Sequence, residues 1–314
     1  MKLITSRVYL IDEPNPLKKI ELAGRTCYKS DSEFTDESAI KFFEGMAKRH
    51  HFAMLEHGEC TFEISGMNKG ELDGTFRSIP FIRSSYKHGR YYITMSFSHM
   101  TSDLVLSYPI SKIAKELFFR MRDICINYYL NGMNDKVLVD NTVGVQIKML
   151  KDVREIVDFG ADDLYTHKSF TFKFICDRGV SHELVRHRCS VAQESQRYCN
   201  YGKDKFGNEI TFVAPHDWEE WTEEQKEMFA KSLAYAEKNY LDLLNSGKAP
   251  QQARAVLPNA TKTEVILTMP VGRWLHFLNL RSIGTTGAPH PDMKKLADQV
   301  NVTVHDLIDQ YLNK

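Results

Sequence analysis

Apolar residues recur at helical spacing in four stretches of the chain. Side chains three and four positions apart share one face of a helix, so the pattern predicts helices over residues 35–49, 113–128, 222–245 and 274–281. Thr35 has the chemistry of an N-cap before the first of them. Thr222 and Gln225 have the spacing of a capping box before the third.

Alternation of apolar and polar residues predicts strands over residues 60–64, 92–97, 170–174, 210–213 and 264–268. The first is expected to be half-buried, with Cys60 and Phe62 on the face opposite Glu63. After the third strand, Ser181 is expected to cap a short helix that ends at an arginine-rich segment. Helices and strands therefore both contribute to the predicted fold.

The arginine-rich segment, residues 186–198, reads RHRCSVAQESQRY and has almost no large aliphatic side chain. Guanidinium groups stay protonated, and their fork geometry matches phosphates. The segment is therefore predicted to hold a small, doubly charged anion. A solvated basic loop, or basic groups that complement the dipole at a helix C-terminus, are the alternatives.

The balance of charged residues indicates which class of ligand the chain binds. The 314 residues include 41 basic and 41 acidic ones, so the formal net charge is zero. Proteins that bind nucleic-acid polymers usually carry a basic domain or stripe, so these arginines are expected to serve one local anion. Apolar runs are too short to span a membrane, and no secretion signal is recognisable, so no membrane and a cytoplasmic location are expected.

Six scattered cysteines with no CxxC pair predict reduced thiols, and no metal is expected. His50, His51 and His57 raise the alternative of a metal site, but their spacing fits no standard zinc pattern. The sequence contains no GxGxxG or Walker loop. Any nucleotide is therefore expected to bind without a Rossmann or P-loop turn.

Four separated segments together resemble the flavin-dependent thymidylate synthases. They are AGRTCY (23–28), HHFAMLEH (50–57), FTFKFICDRGVSHELVRHR through RYCNY (170–201), and ARAVLPN with HFLNLR (253–259 and 276–281). The resemblance implies an α/β (α+β) fold, with a central, mostly antiparallel sheet wrapped by helices. Residues 1–314 would form one domain, and residues from about 66 to 167 would be an α/β block inserted in a larger subfamily.

The resemblance also implies an activity, the reductive methylation of dUMP to dTMP for de novo dTMP synthesis. Methylenetetrahydrofolate would supply the carbon, and NADPH would supply electrons through bound FAD. The family assembles as a homotetramer in which subunits share each active site. No single chain would then contain a complete site.

Residues for FAD follow from the same resemblance: Ala53, Arg186, His187, Arg188, Gln193, His276 and His290. The family signature has seven residues between the arginine triplet and its serine, but only six separate Arg188 from Ser195. Pro270 and Gly272 stand where compact members have an asparagine and an arginine. Contacts to FAD there would have to be remade, for example by Arg273.

Residues that match dUMP-binding positions are Glu183, Arg186, Gln193, Glu194, Ser195, Gln196, Arg197, Arg254 and Arg281. Arg197 would bind the phosphate, and Ser195 would donate its hydroxyl to the same ligand. The carboxylate of Glu183 would only accept hydrogen bonds unless it is protonated.

Arg281 is the expected catalytic group, supplied to the nucleotide by a neighbouring subunit. Its guanidinium would stabilise the electron-rich form of the uracil ring, an effect commonly worth about 2.7 to 4 kcal/mol per donor. The alternative is a side chain whose stem lies on the core and whose head reaches solvent. Ser195 has no evident base beside it in the sequence, so it is assigned to binding rather than covalent attack.

His51, Glu56 and Tyr198 match positions that line the flavin and folate pocket, although Tyr198 also suits a half-buried core position. Two functions from other classes remain open at this stage. One is a nucleotide- or RNA-binding module without catalysis, and the other is a metal-dependent hydrolase that uses the histidines. A yellow purified protein would favour the flavoenzyme over both.

Overall fold

A computed structural model of the protein describes the chain except for residues 31–33, 77–78, 102–111, 132, 134, 136–137, 143 and 314. Its strands are β1 (Lys2–Ile4), β2 (Arg7–Leu10), β3 (Glu59–Ser65), β4 (Arg83–Lys87), β5 (Arg90–Ser96), β6 (Val139–Thr142), β7 (Val145–Leu150), β8 (Ser169–Asp177), β9 (Ser190–Gln193), β10 (Thr211–Val213) and β11 (Lys262–Pro270).

The α-helices are α1 (Pro16–Tyr28), α2 (Asp36–Lys48), α3 (Phe52–Leu55), α4 (Lys69–Phe76), α5 (Phe97–Thr101), α6 (Lys112–Leu130), α7 (Ala161–His167), α8 (Arg178–Leu184), α9 (Glu223–Asn245), α10 (Pro250–Ala253), α11 (Val271–Leu278) and α12 (Pro291–Leu312). A 3-10 turn, Arg254–Val256, follows α10, and a π-helical turn, Asn279–Ile283, follows α11. In the part of the chain described, no helix is both long enough and apolar enough to cross a bilayer.

A four-stranded antiparallel sheet in the order β2-β8-β11-β9 positions the candidate site. Strands β8 and β11 pair along nine residues. Phe172 and Phe174 project from β8 into a core with Trp274 and Phe277 of α11, and α12 covers the same core. The Trp274 indole N–H donates to the Phe170 carbonyl at 3.0 Å, so this large side chain is buried with its polar atom satisfied.

A second antiparallel sheet has the order β4-β5-β3-β7-β6. Four of its strands come from residues 66–167, and the central strand β3 precedes that segment. Its core also takes in side chains of α1, α2 and α6, such as Leu17, Phe43 and Met121. The segment expected as an insertion thus extends a sheet around β3 and shares a core with the N-terminal helices.

The mixed class with mostly antiparallel sheets is confirmed, and the short pair β1 and β10 is parallel. Strand β3 is not half-buried as expected, because Thr61 and Glu63 on its second face are buried too. Thr61 shares a hydrogen bond with Thr94 at 2.7 Å, and Glu63 accepts from Arg90 at 3.1 Å. Polar partners across the sheet therefore let the second face be covered.

The expected cap of α8 is also corrected. Asp177 accepts from the backbone N–H of Val180 at 2.8 Å, whereas the Ser181 hydroxyl lies within the helix and donates to the Arg178 carbonyl at 2.8 Å. An aspartate is as good an N-cap as a serine, so the helix begins directly where β8 ends.

Candidate functional site

The arginine triplet and Arg281 meet because their two segments leave the same sheet. Helix α8 follows β8 without a loop, and the triplet connects α8 to β9, which pairs with β11. Helix α11 starts directly after β11, and the π turn that ends it contains Arg281. Single π turns inside or at the ends of α-helices are frequent at functional sites.

Arg281 holds Glu183 and His187 together. Its Nη1 donates to Glu183 Oε2 at 2.5 Å, and its Nε donates to His187 Nε2 at 3.2 Å. Phe277 lies edge-on to the His187 ring, with 4.8 Å between ring centres. The guanidinium is therefore fixed by two partners from its own chain, one of which is a packed imidazole.

His187 must be neutral to accept this hydrogen bond at Nε2. Burial, with the nearby charges of Arg281 and His276, lowers the pKa of His187 to about 4. Its other nitrogen then carries the proton at neutral pH. The geometry and the electrostatics agree on the tautomer.

The short segment around α3 lies against the start of β9. The Ser190 hydroxyl donates to the Glu56 carbonyl at 3.1 Å. Burial raises the pKa of the Glu56 carboxyl. Burial, with the charge of Glu56, also raises the pKa of the Cys189 thiol to about 12. His51 and Ala53, at the start of this segment, are exposed.

The residues after β9 alternate between internal and exposed positions. Gln193 donates to the hydroxyls of Ser181 at 2.9 Å and Thr263 at 3.3 Å. The Ser195 hydroxyl accepts from the backbone N–H of Arg197 at 3.3 Å. Arg197 is exposed, and its guanidinium lies 5.2 Å from the centre of the Tyr198 ring.

Glu194 and Gln196 are buried. Glu194 accepts from the Tyr201 hydroxyl at 2.9 Å and from Lys262 Nζ at 2.8 Å. Lys262 also donates to Glu264 at 2.6 Å. The Glu194 side chain thus takes part in an internal ion network, and its assignment to dUMP binding stays a prediction.

Burial opposes ionisation of Glu264, but Lys262 and Lys29 outweigh it and lower the pKa of that carboxyl to about 2. Sequence reasoning missed this network. The signal was present, because Lys262 and Glu264 are two positions apart on a strand and hence on one face.

Three other predicted site residues lie on different elements of the fold. Arg254 is exposed in the 3-10 turn after α10. Burial lowers the pKa of Arg178, and the charge of Arg254 contributes to that shift, which places Arg254 near the start of α8. His276 is exposed on α11. His290 caps α12, where its Nδ1 accepts from the Asp292 backbone N–H at 3.3 Å.

Five arginines discussed for the site have no carboxylate partner within the described ranges: Arg186, Arg188, Arg197, Arg254 and Arg273. Arg281 does have one, Glu183. Arg7, Arg49 and Arg178 also lack a described carboxylate partner, so this property is not confined to the site. Uncompensated guanidinium groups around one sheet are suited to anionic ligands. Among the residues described, no group of three or more His, Cys, Asp or Glu is arranged to hold a metal ion.

Several known proteins are similar to this chain in sequence. The chain is similar to flavin-dependent thymidylate synthases of Geobacter sulfurreducens (36% identity over 129 residues, 40% of this chain and 53% of that protein) and Pyrococcus furiosus (35% over 133 residues, 42% and 53%). The Mycobacterium tuberculosis enzyme is 33% identical over 140 residues, 41% of this chain and 56% of that protein. The chain spans about half the length of the relatives it matches.

Two solved structures of the UMP/dUMP methylase PolB from Streptomyces cacaoi are also similar. The one bound with 5-Br dUMP has a TM-score of 0.41 at 15% identity and covers 99% of this chain and 98% of its own. The one bound with 5-Br UMP has a TM-score of 0.40 at 23% identity, covering 50% and 83%.

A family model matches almost the whole chain, including the segment expected as an insertion. Its description is "thymidylate synthase complementing protein", and the matched residues are 9–129 and 131–308. Both the arginine triplet and Arg281 fall within the second match. The chain therefore belongs to the thymidylate synthase complementing protein family.

Proposed function

We propose that this protein is a flavin-dependent thymidylate synthase that methylates dUMP to dTMP. Methylenetetrahydrofolate would donate the carbon, and NADPH would donate electrons through FAD. Family membership supports the reaction class. The observation that carries the proposal for this chain is the Arg281 guanidinium, which Glu183 and His187 hold beside the arginine triplet.

The residues near the triplet fit a flavin dinucleotide. Arg186 and Arg188 are exposed, and a pyrophosphate would give them the anionic partner that no described carboxylate provides. His187 is neutral and bonded to Arg281, so it offers an uncharged ring edge rather than a third cation. FAD, when bound, would supply the transfer of reducing equivalents, and Ala53, Gln193, His276 and His290 remain proposed contacts.

For dUMP, we assign the phosphate to Arg197 and Arg254 and the neighbouring hydroxyl to Ser195. Arg197 and Arg254 are exposed, whereas Glu194 and Gln196 beside Ser195 point inward. The inward pair would hold the loop, and its assignment to dUMP binding remains a prediction. His51, Glu56 and Tyr198 remain proposed lining residues for the flavin and folate.

Arg281 would stabilise negative charge on the uracil ring. Glu183 and His187 fix its guanidinium before any ligand arrives, so little reorganisation is needed when charge develops. The ion pair with Glu183 also lowers the cost of holding a cation that is mostly shielded from solvent, with 19% of its side chain exposed.

A homotetramer with shared sites stays part of the proposal. Arg281 contacts the triplet before β9, whereas Ser195 and Arg197 follow the other end of this strand. Four strand residues span about 13 Å. We propose that the Arg281 that reaches a pyrimidine bound beside Arg197 comes from a neighbouring subunit.

The test is NADPH oxidation with and without dUMP, followed by product analysis after addition of methylenetetrahydrofolate. We expect a yellow protein, oxidation stimulated by dUMP, and dTMP as product. The variant Arg154→Lys is a control for the assay and should behave like the wild type, because Arg154 pairs with Asp152 at 2.8 Å on an exposed surface. A colourless protein that neither binds FAD nor forms dTMP would refute the proposal.

A further inference from the structure

A cavity of about 300 Å³ lies beside the buried Glu194. Lys2, Lys29, Lys205 and Lys262 line it, together with Glu194 and Tyr201. No arginine is among its described lining residues. The volume is at the lower end of the range for small-molecule sites.

The cavity carries an excess of positive charge. Four lysines line it against two glutamates, Glu194 and Glu209. Glu264 behind the wall binds Lys29 and Lys262, but it is matched by Lys173 at 2.7 Å. Glu264 and Lys173, which lie behind the lining residues, cancel each other. The excess of two positive charges in the cavity is therefore unchanged when they are counted.

The buried carboxylate of Glu194 in the cavity wall is held by hydrogen bonds. Glu194 has 1% of its side chain exposed and is held by Tyr201 and Lys262. Burial lowers the pKa of Lys29, and the charge of Lys262 adds to that shift although Glu194 and Glu264 oppose it. An anion in the cavity would therefore add to the negative charge of Glu194 and Glu264 that keeps this buried ammonium group ionised.

The rim is built from one cation and two rings. Lys205 Nζ donates to the Lys29 carbonyl at 2.7 Å and lies 4.9 Å from the centre of the Phe206 ring. Phe206 is edge-on to Tyr201, with 5.4 Å between ring centres. Apolar ring surface beside lysines suits an organic group attached to an anion.

We propose that this cavity binds the dianion of an organic phosphate monoester. Two negative charges match the excess of two, and lysine ammonium groups bind phosphate as point charges. The phosphate could come from a free metabolite or from the 2′-phosphate of NADPH. The second source rests on the proposed function.

The test uses 2′-AMP, 5′-AMP, adenosine, inorganic phosphate and succinate as probes, titrated by calorimetry into the full chain in the absence of dUMP. We compare the wild type with the double variant Lys2→Gln and Lys205→Gln, because glutamine keeps a donor and a stem but loses the charge. We expect binding of 2′-AMP to weaken about fivefold or more for the double variant. Adenosine should not bind.

Two controls isolate the cavity. Lys231→Gln changes an exposed lysine of α9 that pairs with Glu227 at 2.8 Å, and it should leave phosphate binding unchanged. Arg197→Ala removes a group from the other anion site and should leave the lysine-dependent binding in place. Equal binding of 2′-AMP to wild type and double variant, or equal binding of succinate and phosphate, would overturn the proposal.

The two sources of the phosphate are distinguished by the KM values for NADPH and NADH. If the KM for NADPH rises in the double variant while that for NADH does not, the cavity receives the 2′-phosphate of the reductant. If neither KM changes while 2′-AMP, 5′-AMP and inorganic phosphate still depend on the lysines, the ligand is a free phosphate compound. Calorimetry needs no turnover, so its outcome is independent of whether the chain makes dTMP.

Discussion

A guanidinium with two partners at different nitrogens has a fixed plane as well as a fixed position, and Arg281 is held in this way by Glu183 and His187. A lysine ammonium at the same place would keep the charge but lose the second, directional contact. The structure thus separates two properties of Arg281, its charge and its orientation, which a single substitution can test.

We predict that Arg281→Lys lowers turnover by about 10²- to 10³-fold, the usual cost of removing one preorganised donor. The affinity for dUMP should fall much less, because the charge remains. Steady-state kcat and the dissociation constant of dUMP, measured on the same preparation, check the prediction. Equal losses in both would show that Arg281 only binds.

Two of the three predicted helix caps are confirmed, because caps depend on local sequence, whereas the cap of α8 is Asp177 rather than Ser181. Thr35 and Thr222 each cap the helix that the sequence assigned to them, in the structure Asp36–Lys48 and Glu223–Asn245. The sheets were less accessible to sequence reasoning. Alternation shows which side chains share a face, but it does not name the partner strand, so the pairing of β3 with β5 and β7 was not foreseen.

One buried histidine links helix α7 to two strands of the second sheet. His167, at the end of α7, shares hydrogen bonds with Ser85 of β4 at 2.9 Å and Thr94 of β5 at 2.8 Å. Burial, with the charge of Arg83, lowers the pKa of His167 to about 4. The unfolded chain therefore binds a proton at this residue in a pH range where the folded chain does not.

Stability should consequently fall as the pH decreases from 7 to 5. The folded pKa of His167 is depressed below its unfolded value of about 6.5, so protonation favours the unfolded state, by about 2 kcal/mol at pH 5. The free energy of unfolding, measured with urea at pH 7 and at pH 5, should differ less between the two pH values for His167→Gln than for the wild type. The exposed His305→Gln is the control, and an unchanged difference in His167→Gln would contradict the assignment.

At the scale of the whole molecule, the sequence predicted which segments carry the site but not how they meet. Arg281 is 94 positions from His187, and no periodicity relates the two. The family resemblance predicted that Arg281 and His187 belong to the same kind of site. The structure adds that the two residues of one chain are in contact, before the start of β9. Ser195 and Arg197 lie beyond the other end of that strand. Among the described contacts of these two residues, none is with Arg281 of the same chain.

Subunit sharing predicts that two inactive variants complement each other. If the Arg281 of one chain serves the Arg197 of another, a mixture of Arg281→Ala and Arg197→Ala chains contains sites with both residues intact. After unfolding and reassembly at equal concentration, roughly a quarter of the sites should be intact in a closed symmetric assembly, so activity should return to about that fraction. Each variant reassembled alone is the control. A mixture as inactive as its components would place both arginines of a site in one chain, because no hybrid could then restore it.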